Sequence, residues 1–223
     1  MTSSHKCLMK FPKLDADAIQ NFVIAALRIS IVGAIASSAW HHQYLLLFAS
    51  SAILLLTFVP HYFENKTKID LPMEFELIII GFIYATLYLG EIHAYYTKFW
   101  WWDVVLHTGS GIALGFAGFL ILYILYAKQK IHAKPFWIAL FAFCFALALG
   151  AVWEIFEFSM DQLFGTQMQR SGLIDTMWDL IVDAGGALFT SLLGFYYIKG
   201  KKTPLFTRLL TKFAKHNPKL FKR

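Results

Sequence analysis

From residue 18 onward the chain is built of long apolar stretches separated by short polar connections. Runs such as "QYLLLFASSAILLLTFV" and "FELIIIGFIYATLYL" are continuously apolar. The strands of a membrane β-barrel would instead alternate in polarity over about ten residues. A helix crossing hydrocarbon needs about 20 mostly apolar residues, and six segments meet that need: 18–39, 43–62, 75–96, 103–126, 135–160 and 175–198. The pattern predicts an all-α fold, a polytopic membrane bundle of six transmembrane helices. Connections are short, with no Gly/Ser or Pro linker and no internal repeat, so residues 1–198 form one transmembrane domain and 199–223 a tail.

Composition agrees. With 58% hydrophobic, 17% aromatic and 15% charged residues, a chain of 223 residues is too apolar for an ordinary soluble domain. The first span is expected to be retained rather than cleaved as a signal peptide, because it is longer than a signal core, carries Arg28 and follows a polar arm. Cys7 in that arm and Cys144 in mid-span make no disulfide framework.

Charge then orients the bundle. Lys6, Lys10, Lys13, Lys66, Lys68, Lys128, Lys130, Lys134 and the basic residues of the tail put seventeen of the twenty Lys and Arg on one side. Lys98 and Arg170 lie on the other, and Arg28 lies within the first span. By the positive-inside rule both termini are cytoplasmic. The basic balance therefore suits the inner leaflet of the cytoplasmic (inner) membrane, with membrane lipids as partners, and requires no nucleic acid. Phe206, Leu209, Leu210 and Phe213 recur at helical spacing among basic residues, so the tail reads as an interfacial amphipathic helix on the anionic leaflet or as a disordered basic tail.

The same topology sorts the fourteen acids. Asp15, Asp17, Glu64, Asp70, Glu74 and Glu76 fall in or beside cytoplasmic loops. The other eight, Glu91, Asp103, Glu154, Glu157, Asp161, Asp175, Asp179 and Asp183, all fall in the outer parts of spans three to six. Asp103 and His107 are four apart, Glu154, Glu157 and Asp161 follow i, i+3, i+7, and Asp175, Asp179 and Asp183 recur every four. Each set occupies one helical face and can be aimed at the bundle axis.

An ionised Asp near a helix centre costs roughly 2.5–3.5 kcal/mol on insertion scales, and crowding raises carboxylate pKa values. Such a site needs cations, protons or water. Arg28, Arg170, His93 and His107 offer some positive charge, and a divalent metal ion would offer more. Carboxylates favour Mg, Ca or Mn, while the His107 ring widens the choice to Zn or Fe. Pairs three or four apart on neighbouring helices have the logic of carboxylate sites in bundle cores. Asp161 and Asp175, at helix ends, read equally as solvated or capping residues.

Other features have structural readings. The glycines of "GSGIALGFAG" and "DAGGALFTSLLG" form small faces for close helix packing. "WWWD" is an interfacial aromatic belt, and His41 and His42 are loop residues beside a span. Ser110 near His107 looks like a nucleophile and base, but no oxyanion arrangement can be read around it.

"WWDVVLHTGSG" followed by "EIFEFSMDQLFGTQMQRSGLIDTMWDLIVDAGGALFTSLLG" resembles the YjdF-type bacterial inner-membrane proteins, a group of unknown function. More loosely it is similar to the VanZ-like superfamily linked to glycopeptide-antibiotic resistance. Asp103 and His107 match the opening pair of the looser pattern, Glu157 its Glu, Gln169 and Arg170 its Gln and Arg, Asp179 its Asp, and Gly186 its glycine. Asp183 stands where that pattern has Asn, and Glu154 and Asp161 are extra acids, so this site is more anionic. The resemblance covers about half the chain and implies a membrane fold with a polar site, without a reaction.

The leading expectation is a metal-dependent enzyme or binding protein at the outer face of the membrane, acting on a lipid-linked or envelope phosphate compound. Asp103, His107, Glu157, Asp179 and Asp183 would hold the metal, Glu154 would be a base or a further ligand, and Arg170 would clamp the substrate. A proton- or cation-coupled transporter is the first alternative, although the acids crowd on one side and the cytoplasmic halves of spans four to six look closed to ions. A non-catalytic scaffold whose polar core fixes helix register is the second.

Overall fold

The computed structural model describes residues 16–222. The basic arm with Lys6, Lys10 and Lys13, together with Cys7, lies outside the described residues. Six helices are long and apolar enough to cross a membrane: Ala18–Trp40, Tyr44–Thr67, Met73–Ile92, Trp102–Ala127, Pro135–Phe164 and Leu173–Ile198. Among the described residues there is no strand. Both ends of the described chain therefore lie on one face, the terminal face, and the long α7–α8 connection defined below lies on the opposite one.

α1 spans Ala16–Trp40. The second span breaks into α2, Tyr44–Leu56, and α3, Val59–Thr67. The cause is Pro60 in the first turn of α3, which lacks an N–H and crowds the preceding turn. Arg28 serves this break. Its Nη2 donates to Thr57 O at 2.9 Å and its Nε to Thr57 Oγ1 at 3.2 Å, with the guanidinium 4.3 Å over the Phe58 ring. Arg28 therefore belongs to the α1–α2 hairpin, and the expectation that it helps neutralise the acids is corrected.

The third span starts as α4, Met73–Ile83, and continues as a π-helical segment, Tyr84–Ile92. Its i→i+5 pattern is carried on by His93 N donating to Tyr88 O at 3.1 Å. A short helix, α5 (Tyr95–Lys98), leads to α6, Trp102–Ala127. α7 runs Pro135–Phe164 and α8 runs Leu173–Ile198. At about 1.5 Å per residue, the 30 residues of α7 reach about 45 Å, well beyond a hydrocarbon core of about 30 Å. α7 is thus long enough for its acid-bearing end to reach the far side of a hydrocarbon core.

α6, α7 and α8 pack as a tight trio, and α1, α2 and the third span form a second. Missing Cβ atoms bring the helices of the first trio together: one on Gly111 would strike the Asp183 backbone, one on Gly186 the Thr108 carbonyl, and one on Gly118 the Phe145 ring. Gly109 and Gly185 face open space and take no part in the packing surfaces expected of them.

After α8 the tail forms α9, Pro204–His216, and the short α10, Pro218–Phe221. α9 is amphipathic, and its apolar face packs on the bundle. Phe206 and Leu210 join Phe116, Phe119, Ile138 and Ala142 in one buried cluster. Asn217 exchanges hydrogen bonds with the Asp70 backbone (2.8 and 2.6 Å), and Lys212 pairs with Glu74. The tail shares the bundle's core, so the lipid surface is not its principal apolar partner.

Candidate metal centre

His107 lies near the start of α6, buried where α6, α7 and α8 meet. Four carboxylates from three helices converge on it. Nε2 is 3.7 Å from Asp103 Oδ1, 3.9 Å from Glu154 Oε1 and 4.0 Å from Asp179 Oδ1. Nδ1 is 3.3 Å from Asp183 Oδ2. The two ring nitrogens thus have separate surroundings: three acids at Nε2 and one at Nδ1. One donor atom each from Asp103, His107 and Asp179 lie within 4.8 Å of one another.

Local structure accounts for the convergence. Asp103 precedes His107 by one turn of α6, and Asp179 precedes Asp183 by one turn of α8, so each pair shares a face. α7 contributes Glu154, and one turn below it the bare Gly150 makes room for the Asp183 carboxylate: a Cβ there would lie 2.5 Å from Asp183 Oδ2. Ser110 Oγ donates to Asp183 Oδ1 at 2.8 Å or to His107 O at 2.7 Å. Asp183 is therefore held on both oxygens.

Glu154 contrasts with it. The residue is 3% exposed, and neither carboxylate oxygen has a hydrogen-bond partner. A buried polar group in that condition calls for a ligand, an ion or a proton.

The remaining sequence candidates divide. Glu157 is half-buried, and its Oε1 accepts a hydrogen bond from Trp153 Nε1 at 2.8 Å. It stands at the rim, outside the group gathered on His107. Asp161 accepts from Thr166 Oγ1 (2.6 Å), Met168 N (2.8 Å) and Gln169 N (2.9 Å), and Asp175 accepts from Arg170 N at 3.1 Å. These two acids shape the α7–α8 connection by accepting from its own residues, and neither caps a helix. That connection runs between Gly165 (φ 65°) and Gly172 (φ 60°), both in the left-handed region where glycine is least strained. Glu91 faces an open groove beside Gln43 and Tyr44, apart from His107.

Arg170 rides on this connection, exposed, with its guanidinium 5.1 Å over the Tyr96 ring. Among the described residues it makes no ion pair. Tyr96 fits against bare Gly90 of the π-helical segment. Burial pushes the Tyr96 phenol up from its ordinary value, and the Asp103 carboxylate adds to the shift. Gln169 ties the connection to α8 through Thr176 Oγ1 at 2.6 Å. His42 packs on Tyr44 and His93 on Tyr88, so neither joins the centre.

Sequence reasoning missed Gly150 and the supporting role of Ser110. Their spacing was available: Ser110 follows His107 by three and Gly150 precedes Glu154 by four. Their function depends on a partner helix, which spacing does not reveal.

Beside the cluster, between the third span, α6 and α7, is a cavity of about 210 Å³ that ends on His107, Ser110 and Asp183.

The sequence pattern of a family described as "Predicted membrane protein (DUF2238)" matches residues 22–200, which include all six spans almost entirely and the whole cluster. The chain belongs to the DUF2238 family. The resemblance of the α6–α8 motifs to the YjdF-type membrane proteins is thereby borne out at family level. This DUF2238 chain is also 29% identical over 134 residues to an "Uncharacterized protein" of Thermotoga maritima, over 58% of the chain and 66% of the relative, just under two thirds of the relative's length. No solved structure matches it.

Proposed function

We propose that this membrane protein holds a divalent cation between Nε2 of His107 and the carboxylates of Asp103, Asp179 and Glu154. With that ion it would act as a hydrolase or transferase on a lipid-linked or cell-envelope phosphate compound. The observation that carries the reading is Glu154, a buried acid with no partner on either oxygen, 3.9 Å from the one imidazole among four carboxylates. Charges buried without partners are strongly unfavourable, and a single protonated His balances only one of four.

The spacing suits a shared ion. Two metal–ligand bonds of about 2.1 Å reach about 4.2 Å across a cation, or more for calcium. The separations of 3.7–4.0 Å at Nε2 fall within that reach; Asp103, His107 and Asp179 are also mutually within 4.8 Å, and Glu154 joins this group from outside it. Oxygen donors suit Mg, Mn or Ca, and the imidazole keeps Zn and Fe open. Asp183 then orients His107 through Nδ1 instead of ligating, the arrangement by which carboxylates commonly support metal-bound imidazoles. Glu157 is left as a rim acid near the substrate entrance.

A bound divalent ion supplies Lewis acidity toward a phosphoryl oxygen and a lowered pKa for bound water. Arg170 supplies a guanidinium for a phosphate. The distribution of Lys and Arg supports a cytoplasmic terminal face and an extracytoplasmic cluster in the inner membrane. A coupled transporter would need a polar path to the terminal face. The apolar cluster of Phe116, Phe119, Ile138 and Ala142, closed below by Phe206 and Leu210, argues against one.

Elemental analysis of purified protein tests the reading. One divalent ion per chain is expected in the wild type and its loss in Asp179→Ala. Absence of metal from well-folded samples of both would overturn it.

A further inference from the structure

The cavity beside the cluster is unlike the cluster itself. Its walls are mainly apolar: Phe82 and Thr86 of the third span, Leu114 of α6, Leu149 and Trp153 of α7. Away from the His107 end, Tyr96 adds a phenol, and the hydroxyls of Thr86 and Ser110 are engaged internally. Thr86 Oγ1 donates to Phe82 O at 2.9 Å, and Ser110 Oγ donates to Asp183 or to His107 O. A water-soluble sugar or nucleotide would find little to bind in that space.

Location adds a second constraint. The cavity lies along the seam between the two trios, where the third span packs mainly on α1 and α2 and only lightly on α6. Phe82, Leu149 and Trp153 are 37%, 39% and 42% exposed, so they belong both to the cavity and to the molecule's flank. At that depth the surrounding solvent is hydrocarbon.

Its long axis is also defined. Leu114 is seven residues beyond His107 on α6, about 10 Å along the axis toward the terminal face. Phe82 and Leu149 lie one turn deeper than Thr86 and Trp153 on their own helices. The cavity therefore runs from the cluster toward the bilayer middle. Its volume of about 210 Å³ is below the roughly 300–1,000 Å³ of pockets that enclose a whole ligand. It has room for part of one chain, and a head group must lie outside it.

We propose that this cavity seats the hydrocarbon chain of a single-chain lipid phosphate, entering sideways from the bilayer, with the phosphate at the His107 cluster. The inference rests on the reading of that cluster as a cation site for phosphate, and it selects the lipid-linked substrate over a soluble envelope compound. Apolar walls continuous with the flank take the chain. The acids, the cation they hold and Arg170 take the head.

The test uses full-length protein in liposomes doped with a prenyl monophosphate that carries a diazirine in its chain. After irradiation, adducts are mapped by peptide mass spectrometry, and bound metal is measured on the same samples. Adducts are expected on 82–86, 106–114 and 149–153. Excess unlabelled monophosphate should suppress them, and they should be lost in Leu114→Trp and in Leu149→Trp while metal content is retained. The corresponding prenyl alcohol should label less. Adducts spread over lipid-facing positions of α1 and α2, indifferent to competitor and to both Trp variants, would overturn the chain seat. Equal labelling by the alcohol would overturn the placement of the phosphate. Metal retained without cavity adducts sinks the seat and leaves the cation site standing, whereas specific adducts on a metal-free protein sink the cation reading and leave the seat.

Discussion

His107 meets four carboxylates through two nitrogens, and the two sides of the ring do different work. Asp183, fixed by Ser110 and given room by Gly150, holds Nδ1, so Nε2 faces Asp103, Asp179 and Glu154. Loss of such an outer partner typically weakens metal affinity by about 10–100-fold. Asp183→Asn, titrated with a competing chelator, is expected to fall in that range, while Glu157→Gln retains wild-type affinity. Equal losses in the two would return Glu157 to the ligand set. The sequence made the pairs on one helix legible, since Asp103 with His107 and Asp179 with Asp183 need only helical spacing. It could not separate Glu154 from Glu157. Positions three apart differ by about 60° around a helix, and only the facing helices decide that Glu154 points inward while Glu157 reaches Trp153 at the rim.

Among the elements, α6 and α8 approach most closely, and two glycines allow it. Gly111 and Gly186 meet opposing backbone, which cannot yield as a flexible side chain could, whereas Gly185 meets nothing within 4 Å. Overpacking of this kind typically costs about 1–3 kcal/mol. Gly186→Ala and Gly111→Ala are expected to lower the unfolding midpoint in detergent, with Gly185→Ala close to wild type. A similar drop in all three would remove the close crossing from the account. The six apolar segments were legible because each is long and continuously apolar. The bend at Pro60, its service by Arg28 and the docking of α9 were not, because each is settled by a contact between distant segments: Arg28 with Thr57, Asn217 with Asp70, Phe206 with Phe119. An arginine in a span reads as a neighbour for acids until the broken helix beside it is seen.

The whole molecule is two helical trios with an acid cluster toward one face, an apolar floor toward the other and a lipid-accessible seam between them. The proposed sidedness rests on charge alone and has a direct check. In a background free of Cys7 and Cys144, Thr166→Cys is expected to react with an impermeant maleimide in intact cells, and Gln129→Cys only after permeabilisation. The reverse pattern would turn the cluster to the cytoplasm. At the cluster, the proposed cation, and not merely protons on crowded acids, would complete the surroundings of His107. Crystals soaked in manganese and measured at the manganese edge test this most directly. One anomalous peak is expected between His107 Nε2 and the Asp103, Glu154 and Asp179 carboxylates, absent in Asp179→Ala. A wild-type map with no peak there, and His107 hydrogen-bonded directly to one of those acids, would contradict it.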